Sequence, residues 1–102
     1  MKITDAWKIN YPNGQVKQEG NYLNGLSVGK WQFFYENGSL MREGQFKNDL
    51  EEGLWSVYDQ QGKKRMDLNF KNSALDGKTT IYNDDGQVGK LTTYKEGKLV
   101  EQ

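Results

Sequence analysis

The residue types that carry most enzyme chemistry are few in this chain. None of its 102 residues is histidine or cysteine, which removes the commonest general base, the usual zinc ligands and the thiolate nucleophile. Carboxylates remain, and the only adjacent acidic pairs are Glu51-Glu52 and Asp84-Asp85. Both pairs lie at predicted turns, where neighbouring side chains point apart, whereas a hydrolase needs two carboxyl groups facing each other at about 5–9 Å. We therefore predict that the protein is not an enzyme, with a carboxylate-based hydrolase as the remote alternative.

Cofactors, metals and charged polymers are not indicated by the remaining motifs. The segment Asn83-Asp84-Asp85-Gly86 is too short for a calcium loop and lacks the later bidentate glutamate. No glycine belongs to a phosphate-binding pattern such as GxGxxG. The fourteen basic and fourteen acidic residues cancel, whereas nucleic acids and anionic lipid surfaces attract proteins with a basic surplus. We predict no metal and no cofactor, and a partner that is neither nucleic acid nor membrane.

A 24-residue repeat organises the whole chain. Glycine recurs at this step, and so do two sets of aromatic residues: Gly14, Gly38, Gly62 and Gly86; Trp7, Trp31 and Trp55; and Tyr22, Phe46, Phe70 and Tyr94. A repeat of this length is one supersecondary unit that buries its apolar side chains by stacking on its neighbours. We predict that these aromatic residues form the core of a single domain over residues 1–102. Its units are approximately 7–30, 31–54, 55–78 and 79–102.

Each unit is predicted to contain two strands joined by a turn. In the second unit Trp31, Phe33 and Tyr35 alternate with period two, which is typical of a strand with one buried face. The Asn-Gly pair at 37–38 predicts a tight type I′ turn, which needs positive φ at both central residues. A second strand over 39–47 and a looser turn complete the unit. The fold class is therefore all-β: an open, twisted, single-layer antiparallel meander of about four stacked 24-residue β-hairpins, with eight strands.

Two glycines occupy predicted mid-strand positions. Glycine costs roughly 0.5–1 kcal/mol at such a place, so Gly20 and Gly44 call for a reason. We predict that an aromatic ring from the adjacent strand lies across each of them. The third and fourth units carry Leu68 and Thr92 at this position, and the fourth unit has Thr79 in place of the tryptophan.

A second aromatic row is the candidate binding site. Phe34, Tyr58 and Tyr82 keep the 24-residue step, with Asn10 at the matching position of the first unit. Strand alternation places this row on the side of the sheet opposite the tryptophans. Both faces of a single-layer sheet meet water, so we predict that the row is uncovered and binds a partner. The alternative is that these rings pack on the stems of lysine and arginine side chains.

The repeat resembles a known family in its most complete copies. The pattern Gly-Lys-Trp-x-x-x-Tyr-x-Asn-Gly at 29–38, and Gly-x-Phe-x-Asn at 44–48 followed by Gly53, resemble the MORN-repeat variant family. The resemblance covers about residues 7–97. It implies a single-layer antiparallel sheet of stacked hairpins that serves as a scaffold, a dimerisation module or a lipid-associating module. Some bacterial proteins built from this variant are grouped as antitoxins.

The predicted function is that of a non-enzymatic protein–protein interaction module. Its partner would be another protein, such as a toxin that it neutralises or a scaffold component. Self-association into a homodimer through the open sheet edges, near Lys2–Asn10 and Lys90–Val100, is the alternative. The chain has no apolar run near 18 residues and no signal-peptide core at Met1–Asn10, so we predict a cytoplasmic protein.

Overall fold

One open sheet makes up the protein. The computed structural model describes residues 4–100, which contain no helix and measure 44 × 33 × 19 Å. All neighbouring strands are antiparallel and follow each other in chain order, so the predicted all-β single-layer meander is confirmed. The strands are β1 (Asp5–Asn10), β2 (Val16–Leu23), β3 (Leu26–Phe34), β4 (Leu40–Lys47), β5 (Leu50–Tyr58), β6 (Lys64–Lys71), β7 (Ala74–Leu75), β8 (Gly77–Tyr82), β9 (Val88–Lys95) and β10 (Lys98–Leu99).

The sheet has ten strands where eight were predicted. The strand that leads from the third unit into the fourth is divided at Asp76, next to Gly77, whose φ is 104°. Its first part, β7, pairs with the end of β6, and its second part, β8, pairs with Met66 and Asp67 of the same strand. β10 is a further short strand that pairs with the end of β9. Both additions lie in the C-terminal third of the chain, where the repeat departs most from its pattern.

The turns at the Asn-Gly sites differ from the predicted type I′. Gly38 donates its N–H to Tyr35 O at 2.9 Å, Tyr35 donates to Ser39 O at 2.9 Å, and the positive φ falls on Gly38 alone. This is a type I turn followed by a left-handed glycine. The prediction was wrong because Asn37 contributes its side chain instead of a left-handed backbone. Its Oδ1 accepts the Ser39 N–H at 2.9 Å, and its Nδ2 donates to Gln60 O in the next unit at 3.1 Å.

The type I′ geometry occurs at the connections that were predicted to be looser. Leu23 pairs directly with Leu26, and the two residues between them, Asn24 and Gly25, have φ of 52° and 80°. The next three hairpins repeat this geometry, even though the second turn residue is not always glycine. Asp49 has φ 71°, a region that L-residues rarely adopt.

Hydrogen bonds between units stabilise these left-handed residues. Asp49 donates its N–H to Ser27 O at 3.0 Å, and its Oδ1 accepts the Ser27 N–H at 2.6 Å. One unit further, Ser73 donates its N–H to Glu51 O at 3.0 Å, and its Oγ accepts the Glu51 N–H at 3.0 Å. The strained turn of one unit is therefore held by the start of the strand in the unit before it.

A tryptophan ring lies over a glycine at two joints between units. A Cβ atom added to Gly20 would overlap with the indole of Trp31, and one added to Gly44 would overlap with the indole of Trp55. Both tryptophans are only 2% exposed. The Trp31 indole also donates its N–H to Asn21 O at 3.2 Å, and Trp55 makes the equivalent bond. The prediction that an aromatic ring lies across each mid-strand glycine is confirmed.

The rings form a continuous ladder along one face, which is the core of the protein. Neighbouring rings meet edge to face, with centroids 5.1–6.5 Å apart, in the order Trp7, Tyr22, Trp31, Phe46, Trp55 and Phe70. Phe33 lies between two of the indoles, at 6.3 Å from each, and the Arg42 guanidinium lies 4.2 Å above the Phe33 ring. Edge-to-face contacts of this kind stabilise beyond the apolar area that they bury.

The two ends of the ladder differ from its middle. Trp7 is 43% exposed, so the expectation of core packing is wrong for this ring. Its strand β1 is the edge of the sheet that residues 4–100 form. At the other end Leu68 and Thr79 occupy the positions of the covered glycine and the covering tryptophan. Thr79 is buried, and its Oγ1 has no hydrogen-bond partner among residues 4–100.

Candidate partner-binding surface

The two faces of the sheet have different chemistry. We call the side that carries the aromatic ladder the tryptophan face, and the other side the polar face. Ser56 follows Trp55 directly along β5, and Asp67 precedes Leu68 along β6, so both point to the polar face. They are also directly opposite each other across the two strands. The polar face therefore carries hydroxyl and carboxylate side chains, whereas the tryptophan face carries the aromatic rings.

The predicted binding row lies along one side of the polar face. Phe34, Tyr58 and Tyr82 end strands β3, β5 and β8, each directly after a β-bulge, and their cross-strand partners are Leu40, Lys64 and Val88. All three rings are half-buried, so the expectation of an uncovered row is wrong. The Lys64 ammonium lies 5.9 Å from the Tyr58 ring centroid. Tyr58 is thus partly covered by a lysine side chain, as the alternative interpretation required.

Asp67 is the centre of a hydrogen-bonded network on this face. Its Oδ1 accepts the Ser56 hydroxyl at 2.7 Å and lies 3.3 Å from the Lys64 ammonium. Its Oδ2 accepts the Tyr82 hydroxyl at 2.7 Å. The network joins three strands and fixes the orientation of the Tyr82 ring. Sequence reasoning missed it, although one signal was present, because acidic residues recur at the 24-residue step: Glu19, Glu43 and Asp67.

The network shifts the ionisation of its members. Partial burial raises the pKa of Asp67, but hydrogen bonds from Tyr82 and Ser56 and the charge of Lys64 outweigh it, so the pKa lies below the usual aspartate value. Burial likewise lowers the pKa of Lys64, and the Asp67 carboxylate outweighs it, so that pKa is raised. The hydrogen bond to Asp67 raises the pKa of the Tyr82 hydroxyl. The ionised carboxylate is therefore the form that the folded protein favours.

We expect acid to weaken the fold through Asp67. A carboxyl group whose pKa is depressed on folding stabilises the protein above its unfolded pKa of about 3.9, and that contribution is lost as pH falls through the folded pKa. Asp67→Asn should therefore flatten the acid limb of a plot of unfolding free energy against pH, by on the order of 1 kcal/mol. Asp85→Asn, at an exposed turn, is the control. An NMR titration that places the Asp67 pKa at or above 3.9 would contradict the assignment.

The polar face changes character in the fourth unit. In the first three units the recurring acidic residue lies near a lysine: Lys8 is 4.0 Å from Glu19, and Lys30 is 3.3 Å from Glu43. The fourth unit places Leu91 at this position, 54% exposed, and Val88, the partner of Tyr82, is 57% exposed. An apolar surface thus follows directly on the end of the aromatic row.

The acidic pairs singled out in the sequence do not form a facing pair. Glu51 and Glu52 were predicted to lie in a turn, but they lie in strand β5. Their carboxylates accept hydrogen bonds from the following turn: Glu51 Oε1 from the Ser73 hydroxyl at 3.1 Å, and Glu52 Oε2 from the Asn72 N–H at 3.0 Å. Asp84 is paired with Arg65. Residues 4–100 include no group of three or more acidic side chains placed to hold a metal ion.

The fold and its repeated joints define the class of protein. Two-stranded units stack edge to edge in one layer. At two joints the tryptophan ring of one unit lies over a backbone glycine of the preceding unit. This arrangement makes the chain a β-hairpin repeat protein. A family model described as MORN repeat variant matches residues 6–24, 27–48 and 51–72. These segments cover more than half of the chain, and the chain belongs to that family. The match ends before the fourth unit, where Thr79 replaces the tryptophan.

Three further findings concern the family, the curated proteins and the membrane. The MORN-repeat variant is a non-catalytic kind of repeat module. No curated protein matches this chain. The described part of the chain has no helix of the length and apolar character needed to cross a membrane.

Proposed function

We propose that this protein is a non-enzymatic protein-binding module that presents its polar face to another protein. The observation that carries the proposal is the row of Phe34, Tyr58 and Tyr82, which ends in the exposed side chains of Val88 and Leu91. Aromatic anchors beside charged residues are the usual composition of a binding hot spot and its rim.

The rigidity of the row supports the proposal. The Tyr82 hydroxyl is fixed by Asp67, and the carbonyl groups of Phe34 and Tyr58 accept tyrosine hydroxyls from the preceding units at 2.7 and 2.8 Å. Side chains and backbone that are already ordered lose little conformational entropy when a partner binds. An open sheet face with such a row fits a folded partner surface better than a small molecule, which needs a concave pocket.

We expect the triple variant Phe34→Ser, Tyr58→Ser and Tyr82→Ser to lose its partner while keeping its sheet. Proteins captured by the wild-type chain should be reduced about tenfold or more in the variant, which corresponds to about 1.4 kcal/mol of binding free energy. The measurement is quantitative mass spectrometry of captured proteins, with circular dichroism to check the fold.

The control replaces a matched apolar surface elsewhere. Leu26→Ser with Leu50→Ser removes two exposed leucines beside the type I′ turns, away from the row. The control should capture the same proteins as the wild type. Equal capture by the row variant and the wild type would refute the proposed surface, and equal loss in both variants would show that the surface is not specific.

Two finer roles fit a protein-binding module and remain part of the proposal: neutralisation of a toxin, and scaffolding of another cytoplasmic protein. Co-expression with each captured protein separates them. A toxin-neutralising role requires the partner to arrest growth alone and the row variant to lose protection. A scaffolding role requires a stable complex with a partner that is harmless alone.

Self-association is the alternative, and one observation favours it. Trp7 and Ile9 are exposed on the edge strand β1, where another strand could add. Lys8 on the same strand opposes such pairing. Sedimentation velocity at high micromolar concentration decides between self-association and binding of another protein, because a monomer at that concentration excludes edge pairing as the function.

A further inference from the structure

Three joints connect the hairpins β1–β2, β3–β4, β5–β6 and β8–β9. The first joint pairs β2 with β3, the second pairs β4 with β5, and the third pairs β6 with β7 and β8. In a repeat protein each unit contacts only its neighbours. The contacts at each joint therefore decide whether a hairpin can open while the others stay folded.

The first two joints are held by aromatic rings and uncharged hydrogen bonds. At both, an indole covers a glycine of the preceding strand and donates its N–H to a carbonyl oxygen of that strand. A tyrosine hydroxyl also crosses each joint: Tyr11 donates to Phe34 O at 2.7 Å, and Tyr35 donates to Tyr58 O at 2.8 Å. An asparagine side-chain amide crosses each joint as well, at 2.8 and 3.1 Å from a carbonyl oxygen of the next hairpin.

The third joint has a different residue at every one of these positions. Leu68 and Thr79 replace the glycine and the tryptophan. Asp59 and Gln61 replace the tyrosine and the asparagine. The Asp59 carboxylate caps its own turn, since its Oδ1 accepts the N–H groups of Gln61 and Lys63 at 3.0 Å each. The Thr79 hydroxyl is buried without a partner among residues 4–100, which destabilises the closed joint further.

The backbone at the third joint is also less regular. β3 and β5 run through their joints as single strands, whereas the corresponding strand is divided into β7 and β8 at Asp76. Asn69 bridges the division: its carbonyl oxygen accepts the Asp76 N–H at 2.8 Å, and its side-chain amide donates to Lys78 O at 2.9 Å. One asparagine thus replaces a continuous strand and the indole hydrogen bond.

Carboxylate groups supply most of the other side-chain bonds across the third joint. The Tyr82 hydroxyl donates to Asp67 Oδ2 at 2.7 Å. Arg65 pairs with the Asp84 carboxylate, and the Lys63 ammonium donates to Asp84 O at 3.2 Å. Asp84 is exposed, and exposed ion pairs stabilise little. The hydrogen bond between Tyr82 and Asp67 is therefore the main replacement for the missing ring contacts.

We propose that the strands β7–β10 open together at the third joint while the first three hairpins stay folded. The opening breaks one joint that has no ring over a glycine, and it leaves the first two joints intact. An isolated two-stranded hairpin is at best marginally stable in water. The β8–β9 ladder is therefore lost in the same event, which makes this segment a separate cooperative unit of the kind that hydrogen exchange detects.

Opening divides the candidate binding row. Phe34 and Tyr58 lie in the hairpins that stay folded, whereas Tyr82, Val88 and Leu91 lie in the segment that opens. A partner that contacts both parts binds only the closed form and stabilises it. This consequence rests on the proposed function, whereas the opening itself does not.

Hydrogen exchange of the free chain, followed amide by amide by NMR, measures the opening. Amides that bridge the third joint should be about tenfold or more less protected than amides that bridge the first joint. The first joint is the internal control, because it also attaches one hairpin at an end of the sheet that residues 4–100 form. The amides of the β8–β9 ladder should exchange at the rate of the third joint, since one event exposes both.

Two variants should shift the opening in opposite directions. Leu68→Gly with Thr79→Trp places an indole over a glycine at the third joint and should raise the protection of its amides about tenfold. Asp67→Ala removes the acceptor of the Tyr82 hydroxyl and should lower that protection about fivefold. Glu43→Ala is the matched control, because Glu43 holds the same position one hairpin earlier and its bonds lie within its own hairpin. This control should leave the third joint unchanged.

Equal protection at the first and third joints overturns the proposal. So does a β8–β9 ladder that stays protected while the third joint exchanges, because the segment would then not open as a unit. If neither Asp67→Ala nor the double variant changes the protection, the assigned cause is wrong. All of these measurements use the free chain, so their failure leaves the proposed binding function untouched. Unchanged capture by the row variant would refute that function without affecting the opening.

Discussion

Trp31→Ala is expected to lower the free energy of unfolding by about 3–5 kcal/mol, the usual range for loss of a buried aromatic ring. The ring is 2% exposed, covers Gly20, and meets Tyr22 and Phe46 edge to face at 5.1 and 6.0 Å. Small domains are stable by about 5–15 kcal/mol, so this substitution brings the protein close to unfolding. Thermal melting measures it, and each kcal/mol corresponds to about 4–8 °C for a domain of this size.

Trp7→Ala is the matched control, because the same residue type occupies the equivalent position one unit earlier. Trp7 is 43% exposed and touches one ladder ring, Tyr22, at 5.5 Å. Its removal should cost no more than about 1–2 kcal/mol. If Trp31→Ala does not fold at all, Trp31→Phe is the second variant. It keeps part of the ring contact, and its melting temperature should lie below that of Trp7→Ala. Equal shifts for Trp7→Ala and Trp31→Ala would show that the ladder has no buried centre.

The second large effect is expected at the joint between the second and third units. Gly44→Leu places a side chain where the Trp55 indole lies, and overpacking of this kind costs about 1–3 kcal/mol and sometimes more. Trp55→Thr removes the ring and should cost about 3–5 kcal/mol. The natural chain already combines these two residue types, as Leu68 and Thr79, at the next joint. We therefore expect the double variant to be destabilised less than the sum of the single variants.

A double-mutant cycle measures this compensation. Residues in direct contact typically show interaction energies of 0.5–3 kcal/mol, so the double variant should recover at least about 1 kcal/mol relative to additivity. Gly20→Leu with Trp55→Thr is the control, because these two positions belong to different joints. Additive effects of Gly44→Leu and Trp55→Thr would contradict the proposed exchange of one large and one small residue.

The binding row shows why a predicted side of a strand does not predict exposure. The 24-residue step and strand alternation place Tyr58 and Tyr82 opposite the tryptophans, and the structure has both on the polar face. Their half-burial depends on Lys64 and Asp67, which belong to the neighbouring strand. The sequence alone does not predict that the Lys64 side chain lies over the Tyr58 ring. Cross-strand register decides it, and β-bulges shift that register at the end of each first strand.

The turns show a similar limit at a smaller scale. Asn-Gly predicted a left-handed pair, but Asn37 is needed as a side-chain acceptor and donor, so the left-handed geometry is confined to Gly38. Conversely, Asn48-Asp49 carries no glycine and was predicted to be loose, yet it forms a type I′ turn because Ser27 in the previous unit binds it. Local propensity is a correct guide only where no contact from another unit competes with it.

The sequence by itself determined the repeat, the strand-and-turn content, the open single layer and the positions of the covered glycines. It did so because a fixed, even step returns each residue type to the same face of the sheet. Only the tertiary structure decided how deeply each ring is buried, since burial depends on the neighbouring strands. Trp31 has a strand on both sides, whereas Trp7 lies on the edge strand of the sheet that residues 4–100 form. Contacts between units likewise decided that the Tyr82 hydroxyl binds Asp67 and that the Asn37 side-chain amide binds Gln60 O, because each of these bonds joins residues of two units.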